Sequence, residues 1–507
     1  MTNASAGSCE GKLHLFTWLD YLVIVGASLG VSAVMFFSSF HGDDEVMTLR
    51  VAARVVDALK TGDFRLTAML LGADYHPPLR NLLPLPSIAL LGPTMFAVRL
   101  PSILAWSLSC VLAGTIAVRL TSSRLIGLIS GILVALTGLF QLEAMAIGHG
   151  YLTCIGLLLC RQLLIDPPRA LLEKEDERAF IKTSMILYAG FLCFTTFSLY
   201  VAAIYTFYLI SAIRAPIDHR RRAISRLIWL ALPFVLAYLA YYAVFIGVPL
   251  YMLKQGYVDA PFGQLHQNLL RSQTAHLNIQ SLIDNIKTTN YYTFPVIGPL
   301  ISAIGLIGML RRSPALFASS FLYFIIISFY MSGNTGQHFL SLTVWCFPFA
   351  AAVILRSNET LAATAPRAVI GLVAAAIGAW TFWLHMWPYS DTSYPDDVAA
   401  RSFGNPLWRN NAITPIEAVG ARLGNTDGLV GSAAGSAWEF YYFPNLNWAR
   451  HPTLTTGANG CIQSIRSQDG RLATTVIALN SQTMCSMEHV TRETIPGSAI
   501  VIFRITG

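Results

Sequence analysis

The feature that most constrains this chain is a succession of apolar runs, each near the twenty or so residues that a helix needs to cross a bilayer. They fall near 17–40, 100–118, 125–145, 147–165, 183–198, 199–213, 227–249, 293–310, 315–331, 339–355 and 368–388. In hydrocarbon every backbone donor and acceptor must be satisfied within the segment, so these runs predict helices. The expectation is a polytopic α-helical membrane protein of about eleven spans. Of 507 residues, 54% are hydrophobic and only 12% charged, which excludes an ordinary soluble chain.

The basic residues predict the orientation. With the N-terminus in the cytoplasm, Arg119, Arg124, Arg161, Lys182, Arg214, the block His219-Arg220-Arg221-Arg222, Arg311, Arg312, Arg356 and Arg367 fall in cytoplasmic loops. The short loops near 143–150 and 332–338 carry no Lys or Arg, as the positive-inside rule requires of translocated loops. The net charge of +7 is mostly this asymmetry, and no nucleic-acid patch is visible. The first apolar run is too long for a signal-peptide core and reads as a retained anchor. No Walker, Rossmann, Gly-x-Ser-x-Gly or zinc-spaced pattern occurs.

Against that background the cluster His41-Gly42-Asp43-Asp44-Glu45 stands out, set where the first span meets water on the outer side. Ionised groups beside hydrocarbon are costly and therefore functional candidates. Capping of the helix that follows is the plainer reading. In that helix, 45–60, Val46, Leu49, Ala53, Val56 and Leu59 share a face, which predicts a helix lying in the interface. Further along the same outer loop, Asp74-Tyr75-His76-Pro77-Pro78-Leu79-Arg80 forms a proline-fixed turn. The run 81–98 contains Pro84, Pro86, Gly92 and Pro93 and reads as a shallow or re-entrant helix.

A second outer loop, about 250–292, is polar and carries Arg271, His266, His276, Tyr291 and Tyr292; its tyrosines fit an interfacial belt equally well. Composition then divides the chain into a membrane part, 1–388, and an extracytoplasmic small α/β domain, 389–507. In the latter, Thr414-Pro415-Ile416-Glu417 predicts a helix start, and 428–433, 474–479 and 499–505 predict strands. Its two cysteines, Cys461 and Cys485, would face an oxidising compartment and are expected to pair. Cys110, Cys154, Cys160, Cys193 and Cys346 lie in spans, as packing residues.

The Asp-Glu pair after the first span, the later x-Pro-Pro-Leu, and Val98-Arg99-Leu100-Pro101-Ser102 opening the next span resemble the GT-C superfamily of polytopic membrane glycosyltransferases. The nearest pattern is that of the aminoarabinose transferases (ArnT-like) and the RgtA/B/C/D-like enzymes, more distantly related to protein O-mannosyltransferases. The motifs span about 17–160. The resemblance implies a catalytic aspartate in the first loop, here Asp44 with Asp43 one residue away, and a polyprenyl-phosphate-linked sugar as donor. It also implies a basic or aromatic residue facing the donor phosphate near Gln337-His338. Where the aminoarabinose branch carries an acid and a lysine before the two prolines, this chain has Tyr75 and His76, which argues against assuming the same sugar. No cofactor is fixed, and a divalent cation stays open.

Transfer from a lipid phosphate needs a base for the acceptor hydroxyl, cations for the departing phosphate and an apolar groove for the tail. Asp44 is the expected base, with Asp43 and Glu45 beside it. His76, Arg80, Arg99, Arg271 and His338 are the expected phosphate cations; Tyr75, Glu143, His149 and Gln337 are candidates to line the cavity. Each has a duller role: Arg99 snorkelling at a helix start, Arg80 anchoring to headgroups, Glu143 and His149 as a boundary pair. The expected partners are the bilayer, the lipid-linked donor and an acceptor in the cell envelope, a lipid such as lipopolysaccharide, a glycan or a protein. The expected place is a bacterial cytoplasmic (inner) membrane. The competing class is a transporter or flippase, which would carry charges at mid-span; here they gather in the outer loops. A non-catalytic sensor would leave the first-loop acids unexplained.

Overall fold

The computed structural model describes residues 16–36, 43–64, 67, 70–71, 78–137, 149–254, 297–330, 336–356, 422–423, 428–433, 447, 449, 453–457, 459–467, 469–479, 482–494 and 500–506. Within them the helices are α1 (Trp18–Phe36), α2 (Asp43–Lys60), α3 (Pro78–Leu82), α4 (Leu85–Leu91), α5 (Met95–Thr121), α6 (Arg124–Thr137) and α7 (His149–Ile165). There follow α8 (Lys174–Cys193), a single 3-10 turn at Thr195–Phe197, α9 (Ser198–Ile213), α10 (Ile217–Lys254), α11 (Ile297–Arg312), α12 (Pro314–Tyr330) and α13 (Gly336–Arg356). Helices thus occupy ten of the expected spans; the run 368–388 lies outside the described residues, as do the 255–292 part of the second outer loop and the helix start at Thr414–Glu417.

The helices pack as membrane helices do, through small residues and hydroxyl pairs in place of a hydrophobic driving force. Gly305 and Gly308 of α11 lie so close to Cys346 and Phe349 of α13 that an added Cβ would meet their atoms. Hydroxyls bridge α1 to α5 (Ser28 and Ser107, 3.0 Å), α7 to α13 (Thr153 and Ser341, 3.0 Å) and α11 to α13 (Ser302 and Thr343, 2.9 Å). On α10 the face formed by Ile228, Trp229, Leu232, Val235, Leu236 and Leu239 is exposed, an apolar surface that water would not tolerate and a bilayer would cover. Phe96–Thr121 and Ile217–Tyr241 are long and apolar enough to cross one.

Four expectations are corrected. The span opening at 100 begins five residues earlier, at Met95, where Thr94 caps it by accepting from the Ala97 amide at 3.3 Å. Pro101 then sits inside the helix, which strips the Ala97 carbonyl of its normal donor. The Ser87 hydroxyl supplies one, tying α4 to the start of α5. The run 81–98 is therefore no single re-entrant helix: it divides into α3, α4 and the first turn of α5, broken at Gly92, whose φ of +80° only glycine adopts freely. The run 183–198 belongs to a helix that starts at Lys174, behind a capping box of Glu173 and Asp176, and stops at Cys193 because Phe194 is extended and the Phe197 ring fills the notch at Gly190.

The fourth correction concerns α2, whose buried face is rotated from the expected one. Thr48, Leu49, Ala52, Val55 and Val56 are buried, whereas Leu59 is 42% exposed. Leu49, Ala52 and Val56 pack with Ile88 of α4 and with Ala97 and Val98 of α5 in one apolar cluster. Burial against protein, not amphipathic spacing alone, sets which side faces in.

The C-terminal strands are β1 (Val430–Ser432), β2 (Thr453–Thr456), β3 (Ile462–Arg466), β4 (Thr475–Leu479), β5 (Val490–Thr494) and β6 (Ile500–Ile505). They form a four-stranded sheet in the order β1-β4-β6-β5, with β1 parallel to β4 and the other pairs antiparallel, plus the β2–β3 hairpin. Val476, Ala478, Val501 and Phe503 form the core with Ile462 and Ile465. Cys461 and Cys485 are joined by a disulfide, Cα atoms 5.0 Å apart, fastening the start of β3 to the segment before β5.

Candidate active site

The helix directions locate the site. Arg124, just beyond α5, binds Asp20 at the start of α1, and Ser107 meets Ser28 further along both helices, so α1 and α5 are antiparallel. The start of α5 therefore lies at the end of the bundle where α1 finishes. There α2, α3 and α4 pack, and the acid cluster occupies the first turn of α2. A helix start is favourable for Asp43, Asp44 and Glu45, because the exposed amides there carry partial positive charge.

Arg80 links α3 to α2. On α3, it is 3% exposed, and its Nε donates to the Thr48 hydroxyl of α2 at 3.3 Å; Thr48 is itself 4% exposed. The guanidinium also lies within electrostatic reach of Tyr151, in the first turn of α7. From α7 the connection runs to α13: Thr153 bonds Ser341, and the Trp345 indole donates to the Thr153 carbonyl at 3.0 Å. His149 stands one turn before Thr153, and His338 three residues before Ser341, so the two histidines occupy the same layer at the starts of adjacent helices.

Among the sequence-predicted residues, Arg80 and Arg99 are described with their side chains. Both contradict their duller readings. Arg80 is buried, not splayed toward headgroups; Arg99 is 2% exposed in the second turn of α5, not snorkelling from its start. Buried arginines at a bundle end are expensive, which makes both functional candidates. Asp43, Asp44, Glu45, His149, Gln337 and His338 are placed by backbone only, and Tyr75, His76, Glu143 and Arg271 lie outside the described residues. Among the described residues no three His, Cys, Asp or Glu side chains converge to hold a metal. Sequence reasoning missed Thr48, Tyr151 and the fully buried Asn81. Their signal was spacing: Thr48 follows Asp44 by one turn, Tyr151 follows His149 by two residues, and Asn81 adjoins Arg80.

Over its whole length the chain matches the crystal structure of ArnT from Cupriavidus metallidurans bound to undecaprenyl phosphate, with a TM-score of 0.53 and 13% identity, covering 96% of this chain and 98% of that one. The chain has the GT-C fold. That fold is a polytopic helical membrane architecture. The apo form of the same ArnT aligns over 96% of this chain and 97% of that one, at TM-score 0.47 and 14% identity. The archaeal oligosaccharyltransferase AglB from Archaeoglobus fulgidus, in complex with an inhibitory peptide and a dolichol-phosphate, aligns at TM-score 0.45 and 9% identity, over 84% of this chain and 63% of that one. No family model matches the chain. No curated protein matches it either. Within the GT-C fold of this chain, α2 to α4 and the starts of α5, α7 and α13 make the candidate site.

Proposed function

We propose that the protein is a glycosyltransferase that moves a sugar from a polyprenyl-phosphate donor to an envelope lipid, glycan or protein. The observation that carries this reading is the end-to-end likeness in fold to an ArnT structure that holds undecaprenyl phosphate. The acid cluster at the start of α2 supports it, because α2 packs on α3 and α5, the helices that carry the two buried arginines.

In the reaction the acceptor hydroxyl attacks the anomeric carbon while its proton passes to the Asp44 carboxylate. The bond from that carbon to the phosphate oxygen breaks, and the polyprenyl phosphate leaves with the electron pair. His76, Arg99, Arg271 and His338 stabilise the charge that grows on the leaving phosphate, and such preorganised electrostatics commonly lowers the barrier more than any other effect. One displacement with one base inverts the anomeric centre. The membrane part is 1–388 with eleven spans; the site and the domain 389–507 face away from the cytoplasm, at a bacterial inner membrane.

The test is transfer by the purified protein in lipid nanodiscs, from a polyprenyl-phosphate sugar to extracted envelope lipids and glycans, followed by mass spectrometry. The expected result is a glycosylated acceptor and free polyprenyl phosphate in equal amounts, both absent with Asp44→Asn. In sealed vesicles, movement of intact donor across the bilayer without cleavage would replace the enzyme with a flippase.

A further inference from the structure

Arg80 is one of the expected phosphate cations, yet its geometry fits a different task. Its guanidinium is 3% exposed and hydrogen-bonded to a buried hydroxyl on the helix that carries the acid cluster. We propose that Arg80 and Thr48 form a positioning pair that fixes the first turns of α2, and with them Asp44, and that Arg80 acts through that helix instead of on the donor phosphate. The inference rests on the reading of Asp44 as the base.

Helical spacing gives the link. At about 100° per residue, Asp44 lies about 40° round the helix from Thr48, Glu45 about 60° on its other side, and Asp43 about 140° away. Asp44 is thus the acid nearest to the line on which Arg80 holds the helix. The hold is directional, because a guanidinium Nε has one proton and one direction in which to donate it. It is also braced from behind: α3, which carries Arg80, packs on α8 as well as on α2. Elsewhere α2 is held by Leu49, Ala52, Val56 and neighbouring apolar contacts, which resist separation but tolerate sliding. A polar contact on the turn after Asp44 supplies the register that those contacts lack. Misplacing a reacting group by about 1 Å costs about a hundredfold in rate, so a register device of this kind belongs beside a general base.

The experiment is steady-state kinetics on full-length Thr48→Val, Thr48→Ser, Arg80→Lys and the Thr48→Val/Arg80→Lys double variant, with folding followed by gel filtration in detergent. Thr48→Val keeps the shape and removes the acceptor oxygen, so kcat is expected to fall about tenfold or more, with donor KM within about twofold. Thr48→Ser restores the oxygen and is expected to recover most of kcat. The double variant is expected to be no slower than the slower single one, because both changes break the same contact. A rise in donor KM for Arg80→Lys, with Thr48→Val near wild type, would overturn the proposal and return Arg80 to the phosphate. Equal losses in Thr48→Val and Thr48→Ser would also overturn it. Absence of transfer by the wild-type protein would overturn the glycosyltransferase reading and this proposal with it, whereas turnover kept in Asp44→Asn would remove the reading of Asp44 as base alone.

Discussion

The two ends of the α1–α5 pair handle arginine in opposite ways. At one end Arg124 binds Asp20 with two bonds, Nε to Oδ2 at 2.7 Å and Nη2 to Oδ1 at 2.9 Å, while Thr17 both accepts from Arg124 and donates to Asp20. The Thr17 amide also donates to Asp20, so the carboxylate caps its own helix. Charge and hydrogen bonds close locally, and Arg124 is half-exposed. At the other end Arg80 and Arg99 are buried, and Arg80 reaches from α3 to α2. An arginine closed by a neighbouring carboxylate secures a helix start; one buried where several elements meet is placed to hold the proposed site together. The first should govern stability and the second chemistry.

The variant that tests this division hardest is Asp44→Asn. The amide keeps the shape but takes no proton, and loss of a general base costs about a hundredfold to ten-thousandfold. Turnover is expected to fall by at least that lower figure while the protein stays folded in detergent. Asp43→Asn is expected to stay within about tenfold of wild type, being on another side of α2. If Asp43→Asn were the inactive variant and Asp44→Asn the active one, the base would move by one residue.

Next in size are the cations of that end. Charge-assisted contacts to phosphate contribute about 1.5–3 kcal/mol, so Arg99→Gln, His76→Ala, Arg271→Ala and His338→Ala are each expected to lose about tenfold or more in kcat/KM for donor. Arg65→Ala and Arg401→Ala serve as controls. Losses as small as the controls' would reduce these four to interfacial anchors and erase the contrast between the ends.

What could be read from the sequence follows from where the decisive partner sits. The apolar runs are local, so each of ten runs falls on a helix, while helix ends such as those at Met95 and Lys174 depart from the run's own limits. The start of α5 is not legible from its own apolar run, because the hydroxyl that satisfies the Ala97 carbonyl freed by Pro101 comes from Ser87, ten residues away. The rotation of α2 has the same origin, since Ile88 and Val98 choose its buried face. Strands β1, β4 and β6 are legible as apolar runs, whereas β2, β3 and β5 carry more polar residues: β5, Val490–Thr494, is an edge strand whose outer residues face water. At the site the acids and the two arginines are legible by charge, but Thr48 and Tyr151 carry no charge signal and become visible only through Arg80.

A smaller effect is expected at the closed end. Arg124→Gln removes the bidentate pair and leaves Asp20, 5% exposed, with Thr17 alone, so the thermal midpoint in detergent should drop by a few degrees. Donor kcat and KM should remain within about twofold of wild type, as expected for a change remote from the reacting groups. A fall in kcat as large as that of Arg99→Gln, at unchanged midpoint, would show that the two ends are coupled and that the division between stability and chemistry is wrong.

The smallest effect on turnover is expected far from both ends, at Cys461 and Cys485. Their disulfide closes a loop with a sequence separation of 24 and is expected to stabilise the strand domain by about 3–4 kcal/mol in the chain-entropy model. The double Cys→Ser variant should therefore weaken that domain toward protease or denaturant while transfer stays close to wild type. The same two residues report the sidedness on which the comparison of the ends depends. In spheroplasts an impermeant thiol reagent should label them only after reduction. The five free cysteines among the described residues, Cys110, Cys154, Cys160, Cys193 and Cys346, are buried and should stay unlabelled, and Cys9, cytoplasmic in this orientation, is the control for leakage. Labelling before reduction would refute the disulfide. Labelling of Cys9 with protection of Cys461 and Cys485, even after reduction, would invert the protein in the membrane and move the acids of α2, with Arg80 and Arg99, to the cytoplasmic face.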